Sequence, residues 1–426
     1  MNNPLHDHTF PTHLDCPGGL DGNPLAPAIP LFVETLSSQG YAEQTVHAYL
    51  SALACLSAWM AREHLPLEGL DEQAVRRFLH QHPKPQANRC PICRRSGLAE
   101  LRAASNHLLK MLRDRHWIAD PRSAGDIPAG LELDRFRHYL EDVCGLAALT
   151  CNHRVKHVGG FLARFFGSEA VELARLKPSD VEAFVMGFAG RWSPASLHVL
   201  CGSLGSYFRF KALSGENVAA LQAGLPKPVT WPHAALPKSL SEAQLKSFLD
   251  SFDRATPLGK RDYAAARCLA DLGLRGQEVA CLRLGDIDWR SGTLTIRGGK
   301  NKRTQVLPLP LETGDALADY LQQGRPKTNL RDLFVRHRAP LDTPFSVAAI
   351  RNIANRAWKR CGLDGQFHNT HVLRHTLASR IQAAGRPAKE IADILRHQGL
   401  DTAARYVRID VERLRAVALP WPGRRP

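Results

Sequence analysis

Two proline-bearing breaks divide this chain, and both read as linkers rather than helices. One spans residues 120–130 (DPRSAGDIPAG); the other spans 226–237 and carries Pro226, Pro228, Pro232 and Pro237. Proline fixes φ and removes a backbone donor, so such runs read as connections between folding units. At about 100–200 residues per domain, 426 residues make two to four domains. The sequence therefore predicts a mobile N-terminus over 1–25, a helical domain over 26–120, a second over 130–225, a linker over 226–237 and a C-terminal domain over 238–426.

The first two parts look like copies of one plan. GYAEQT (40–45) opens a helical pattern through Tyr49, Leu53, Leu56 and Met60, and GLAALT (145–150) opens another through Val155, Val158, Phe161, Leu162 and Phe165. Thr45 and Thr150 are the expected helix caps. Leu70, Val75 and Phe78 then recur as Leu176, Val181 and Phe184, each 106 residues on, against 105 for the two glycine-led stretches. Apolar residues repeat at three and four throughout, the period of helices packed in small bundles. Tyr49, Tyr139 and Tyr207 fall on these apolar faces and read as core, as do Cys144 and Cys151.

The third part mixes periods. Helices are expected over 241–249, with Ser241 as cap, and over 263–272, 348–361, 373–384 and 388–395. GTLTI (292–296) and TQVLPL (304–309) alternate like strands around a polar turn. The expected fold class is mostly α with a small β-sheet, an α+β C-terminal domain behind all-α bundles.

Charge points to a polyanion. From Leu236 onward there are 33 Lys and Arg against 19 Asp and Glu, a net of +14; the rest of the chain holds the other 23 and 22, a net of +1. So uneven a balance fits nucleic acid better than solubility alone. No run approaches the roughly 18 apolar residues of a membrane span. The N-terminus lacks the basic start and apolar core of a signal peptide. Ten cysteines are too few for a disulfide scaffold, so reduced thiols and a cytoplasmic location are expected.

Four stretches of the third part carry candidate chemistry. LADLGLRGQEVACLRLGDIDW (269–289) ends one helix at Gly273 and opens another that bears Glu278, Leu282 and Leu284, with Arg275 between them and a turn at 286–288. Lys300 sits at the tip of the strand–turn–strand. HVLRH (371–375) brings His371, Arg374 and His375. LRHQGLDTAARY (395–406) sets Tyr406 nine residues after His397.

Together these stretches resemble the tyrosine recombinase (phage integrase) family. Its members show an arginine in a G-L-R-x-x-E box, a hairpin lysine, an H-x-x-R-[HK] box, a histidine in a G-H-like turn and a tyrosine nine residues later. The resemblance covers 236–426, including LPKSLSEAQL, and extends more loosely to the first helical part as a core-binding domain. There are two departures. Leu395-Arg396-His397 stands where the family usually has Leu-Gly-His, and the helical segment 130–225 is additional.

The resemblance implies a site-specific DNA recombinase that cuts and rejoins strands through a 3′-phosphotyrosine. Tyr406 is then the nucleophile, which stores the energy of the broken bond in a covalent intermediate. Arg275 and Arg374 clamp the non-bridging oxygens with forked, permanently charged donors. Lys300 protonates the leaving 5′-oxygen, His371 is the acid/base for the tyrosine, and His397 donates to the phosphate. Glu278 and His375 are supporting residues. Lys302 and Arg303 compete with Lys300 for the hairpin role. Only Tyr406, among seven tyrosines, has the histidine spacing.

The implied partners are double-stranded DNA and sister subunits, as a homo- or hetero-tetramer. The biological role implied is integration or transposition of a mobile element. No cofactor is expected, because the cations are side chains and no G-x-x-x-x-G-K-[ST] loop is present. Two alternatives remain open: a relaxing topoisomerase of the type IB kind, and a catalytically silent DNA-binding protein with the same fold. A separate, weaker pattern is a zinc candidate, in which Cys90 and Cys93 form a C-x-x-C pair shortly after His80 and His82.

Overall fold

The computed structural model describes residues 23–82, 97–118, 128–229, 238–297, 304–341 and 343–396. The chain divides into two compact units, one of Met1–Phe32 with His47–Pro232 and one of Val33–Val46 with His233–Pro426.

The helices ahead of the second break are α1 (Ile29–Ser38), α2 (Glu43–Arg62), α3 (Glu72–Gln81) and α4 (Leu98–Asp114), then α5 (Pro128–His138), α6 (Ala148–Phe165), α7 (Pro178–Met186), α8 (Pro194–Leu213) and α9 (Ala219–Ala223). The order of elements in α1–α4 recurs in α5–α8. A long helix (α2, α6) follows a left-handed glycine, Gly40 at φ 78° and Gly145 at φ 60°. A 3-10 turn (Leu67–Gly69, Leu173–Arg175) then leads into a short helix.

Neither threonine is the expected cap. The helices begin earlier, and the Thr45 and Thr150 backbone N–H groups donate to the carbonyls of Ala42 and Ala147, each at 2.8 Å. The glycine turn brings the chain into helical geometry before the threonine is reached. Tyr207 is fully buried and donates to Glu132 at 2.9 Å. Cys151 is buried as expected, but Cys144 is exposed, because it ends the helical turn Tyr139–Val143 on the solvent side.

Beyond the second break come α10 (Glu242–Asp250), α11 (Pro257–Asp271), α12 (Gly276–Ala280), β1 (Ile287–Asp288), β2 (Thr293–Ile296), β3 (Gln305–Pro308), α13 (Leu311–Asp319), α14 (Val347–Arg360), α15 (His371–Ala383) and α16 (Ala388–Leu395). Ser241 caps α10 as expected, accepting the Gln244 N–H at 3.2 Å while Gln244 accepts that of Ser241 at 3.0 Å. α11 starts earlier than expected, because Thr256 caps it (Gly259 N–H, 3.1 Å) and Pro257 fits the first helical position. The helix bearing Glu278 stops at Ala280, before Leu282 and Leu284.

The sheet has three antiparallel strands in the order β1-β2-β3, where two were expected. The added strand is the former turn at 286–288: Ile287 and Asp288 pair with Leu294 and Thr293. In β2, Leu294 and Ile296 point inward and the threonines alternate outward. Arg297 holds the base of the connection to β3 through Asp286, Nε to Oδ1 at 2.5 Å. The main core here has Phe248, Leu269, Leu317, Tyr320, Phe334, Ile353 and Trp358 at its centre, and a smaller cluster of Ala378, Ile391, Ala392 and Leu395 packs α15 against α16. Trp358 stacks within 4.1 Å of Phe248, ring centre to ring centre. The protein is mostly α-helical with a small antiparallel sheet. No helix among the described residues is long and apolar enough to cross a membrane.

Candidate active site

The site is built around one tight turn between α11 and α12. α11 ends at Asp271, and Gly273 takes φ 55°, which reverses the chain. A Cβ there would lie 2.8 Å from Leu395 Cδ2 and 2.9 Å from Leu377 Cδ2, so glycine suits both the left-handed backbone and the close approach of these side chains from α16 and α15. Leu274 plugs the core, and Arg275, in extended geometry, begins α12. Glu278, three residues on, accepts the Arg275 backbone N–H on Oε2 and its Nη1 on Oε1, both at 2.8 Å. The Arg275 side chain is 29% exposed and Glu278 only 4%. The arginine therefore faces outward while its carboxylate brace is buried.

The second arginine comes from α15. Asn369 takes φ 64° and its Oδ1 accepts the His371 N–H at 2.8 Å, starting the helix. The Asn369 carbonyl accepts Trp358 Nε1 at 3.0 Å, and its N–H donates to Asn355 at 3.1 Å, which fixes the turn to α14. Three residues along α15, buried Arg374 sends Nη1 to the Gly273 carbonyl at 2.5 Å. Arg374 thus reaches the same turn that presents Arg275. His371 and His375 sit one helical turn apart with ring centres 6.4 Å from each other.

A third cation, Arg396, joins them. It ends α16 in the left-handed conformation, φ 56° and ψ 48°. That conformation costs an ordinary L-residue roughly 1–2 kcal/mol and is the usual place of glycine. Its buried side chain reaches Glu278 Oε2 with Nη2 at 2.8 Å, and the Gly273 and Ile394 carbonyls at 3.4 and 3.1 Å. Its carbonyl lies 3.5 Å from Arg275 Nη2.

The electrostatics follow from this crowding. Burial alone would raise the Glu278 carboxyl, but Arg396, the Arg275 N–H and the Arg275 guanidinium together hold it below its ordinary value. Burial lowers Arg396, with Glu278 opposing; an arginine nevertheless stays charged. His371 is exposed, yet the protein packed around it, and then the charges of Arg374 and Arg275, hold its imidazole below 6.5. At neutral pH it is an uncharged base beside two fixed cations, a place for an anionic tetrahedral or trigonal-bipyramidal group.

The structure thus brings Arg275, Glu278, His371, Arg374 and His375 into one region. Lys300, His397 and Tyr406 lie outside the described residues, as do Cys90 and Cys93 of the zinc candidate. His80 is exposed, and His82 packs edge-on against Phe78 at 5.6 Å. Among the described residues no cluster of three or more His, Cys, Asp or Glu has metal-binding geometry. Sequence reasoning missed Asn369 and the contact of Arg396 with Glu278. The departure from Leu-Gly-His was the only signal for the latter.

Residues 238–413 match the model of the phage integrase family. A protein of Sinorhizobium fredii named "Putative integrase/recombinase y4rA" is 32% identical over 403 residues, covering 94% of this chain and 95% of its own. Tyrosine recombinase XerC of Oceanobacillus iheyensis is 29% identical over 295 residues, covering 67% and 93%. Among solved structures, XerH site-specific recombinase bound to palindromic difH substrate superposes with a TM-score of 0.52 at 19% identity, over 66% of this chain and 83% of that one. A lambda integrase dimer on a core site gives 0.51 at 17%, over 65% and 93%.

The fold is that of tyrosine recombinase catalytic and core-binding domains. The chain belongs to the phage integrase family, and as an enzyme it is a tyrosine-type site-specific DNA recombinase.

Proposed function

We propose that this recombinase moves a mobile element, by integration or transposition, through a 3′-phosphotyrosine formed on Tyr406. In this reading the Tyr406 oxygen attacks the scissile phosphorus and its proton passes to neutral His371. The bond to the 5′-oxygen breaks, and Lys300 supplies the proton that leaves with it. Arg275 and Arg374 hold the non-bridging oxygens as their charge grows, and His397 donates a further hydrogen bond. Rejoining runs the same steps in reverse with a 5′-hydroxyl from the partner strand.

One observation carries the reading. Two arginines from separate helices converge on the Gly273 turn, with an uncharged histidine beside them. The excess positive charge after Leu236 fits a double-stranded DNA partner held mainly through phosphates. The two helical segments ahead of the linker would complete the grip on DNA, and four subunits would assemble at synapsis, in the cytoplasm. Support for mobility comes from the extra helical segment 130–225 and from a relative named as a putative integrase/recombinase that matches across it.

Covalent trapping tests this. The full chain is incubated with duplex DNA from the ends of its own element, nicked near the suspected cleavage point. A denaturant-resistant adduct that disappears in Tyr406→Phe is the expected result. An adduct that persists in that variant would move the nucleophile elsewhere. Tight binding without any adduct would favour a silent DNA-binding role. Relaxation of supercoiled DNA without strand exchange would favour a topoisomerase.

A further inference from the structure

Arg396 occupies a backbone position that suits glycine, and it spends its side chain on the carboxylate that also holds Arg275. Glu278 Oε2 takes the Arg275 N–H and Arg396 Nη2, each at 2.8 Å, while Oε1 takes Arg275 Nη1. The Arg396 guanidinium is almost wholly buried, at 6% exposure, and so is Glu278 at 4%. Two cations therefore share one buried anion, and the trio keeps a net charge of +1. With Glu278 alone, Arg275 would form a neutral pair and present a weaker field to a phosphate. The Arg396 carbonyl, 3.5 Å from Arg275 Nη2, flanks the guanidinium on its other side. Of the five guanidinium N–H donors, these two contacts among the described residues use one on each Nη.

We propose that Arg396 is a positioning residue for Arg275. It competes for the Glu278 carboxylate, so that Arg275 keeps both its orientation and its effective positive charge toward the scissile phosphate. The proposal rests on the reading of Arg275 as a phosphate clamp. It goes beyond that reading by giving a role to the residue that replaces glycine. Arg396 itself, with Nη1 and Nη2 satisfied by Ile394, Gly273 and Glu278, faces the brace rather than the substrate.

The test is single-turnover cleavage of a nicked duplex at saturating full-length protein, with DNA affinity measured in parallel. Arg396→Gly accepts the left-handed backbone without strain, so it should fold. Its affinity should stay within about threefold of wild type, because phosphate contacts elsewhere carry the binding. Its cleavage rate constant should fall by up to about 100-fold, the scale of a displaced catalytic group. Arg396→Lys and Arg396→Gln share the backbone strain but differ in charge. Lys should recover much of the rate and Gln should not.

The decisive readout is a substrate whose scissile phosphate carries a methylphosphonate. It removes the oxygen charge that Arg275 neutralises, so the gap between wild type and Arg396→Gly should shrink. A purely structural role predicts an unchanged gap, which would overturn the proposal, as would wild-type cleavage by Arg396→Gly or equal rates for Lys and Gln. Loss of DNA affinity in parallel with rate would also overturn it. If wild type itself forms no adduct, the clamp reading fails first, and this inference fails with it.

Discussion

Arg275 and Glu278 are joined twice, through the Arg275 backbone N–H and through Nη1, each 2.8 Å from the carboxylate. The three-residue spacing makes this possible: a residue at the third helical position reaches back to the residue that begins the helix. One carboxylate thereby fixes both the start of α12 and the direction of the arginine.

Glu278→Ala should therefore be costly to the fold as well as to the reaction. It strands the buried Arg396 charge, and removal of one partner of a buried pair costs about 3–5 kcal/mol. Glu278→Gln keeps the shape and one acceptor, so it should lose less. The two can be ranked by urea unfolding midpoints. The folded-state carboxyl of Glu278 lies below its unfolded value. Its contribution is thus present above the ordinary carboxylate range and is lost as pH falls through the folded value. Glu278→Gln should unfold with a flatter acid dependence than wild type; an identical acid profile would contradict the brace.

If Arg275 and Arg374 clamp the phosphate as proposed, replacing either by lysine should separate binding from chemistry. Arg374 Nη1 is committed to the Gly273 carbonyl at 2.5 Å, so only a forked group can hold the turn and also reach a phosphate. Arg374→Lys and Arg275→Lys should each lower the single-turnover cleavage rate by about 10²–10³-fold, the usual loss for one preorganised donor. Filter-binding affinity at fixed salt should change far less. A drop in affinity that accounts for the whole rate loss would show that these residues merely hold DNA.

Cleavage should carry an acid limb set by His371. The packed surroundings, Arg374 and Arg275 all favour the neutral imidazole, so protonation in the folded protein needs a pH below 6.5. As pH falls through that lowered value the base is lost and the rate declines; above it the rate is level until other groups titrate. The same shift makes the fold slightly less stable as pH drops below 6.5, because the unfolded chain takes the proton first. His371→Gln should be slower at pH 7.5 and should lose the acid limb. If the limb persists in that variant, another group is responsible.

The placement of Arg275, Glu278, His371 and Arg374 was legible in the sequence because it is local. G-L-R-x-x-E and H-x-x-R each place their members within one helical turn. The alternation in 292–296 exposed the sheet for a similar reason. Features that depend on distant partners were not legible. β1 arises because Ile287 and Asp288 find Leu294 and Thr293. Asn369 becomes a helix starter because Asn355 and Trp358 hold it in a left-handed turn. Arg396 reads only as a departure from glycine until Glu278 is seen beside it. The misplaced threonine caps have a local cause that propensity does not weigh, a left-handed glycine that starts the helix sooner.

Gly273 supplies a final prediction, because three helices depend on its missing Cβ. Its φ of 55° strains any L-residue, and the new atom would press within 2.8 Å of Leu395 and 2.9 Å of Leu377. Both contacts are to side-chain ends, Leu395 on α16 and Leu377 on α15, so relief requires those side chains or the turn itself to shift. Gly273→Ala should cost about 1–3 kcal/mol from backbone strain and overpacking. The move also shifts the carbonyl that receives Arg374 and Arg396, so cleavage should fall more than stability explains. Thermal unfolding gives the first quantity, and cleavage at a temperature where the variant is fully folded gives the second. A destabilised variant that cleaves at the wild-type rate would show that the turn supports the fold without aiming the arginines.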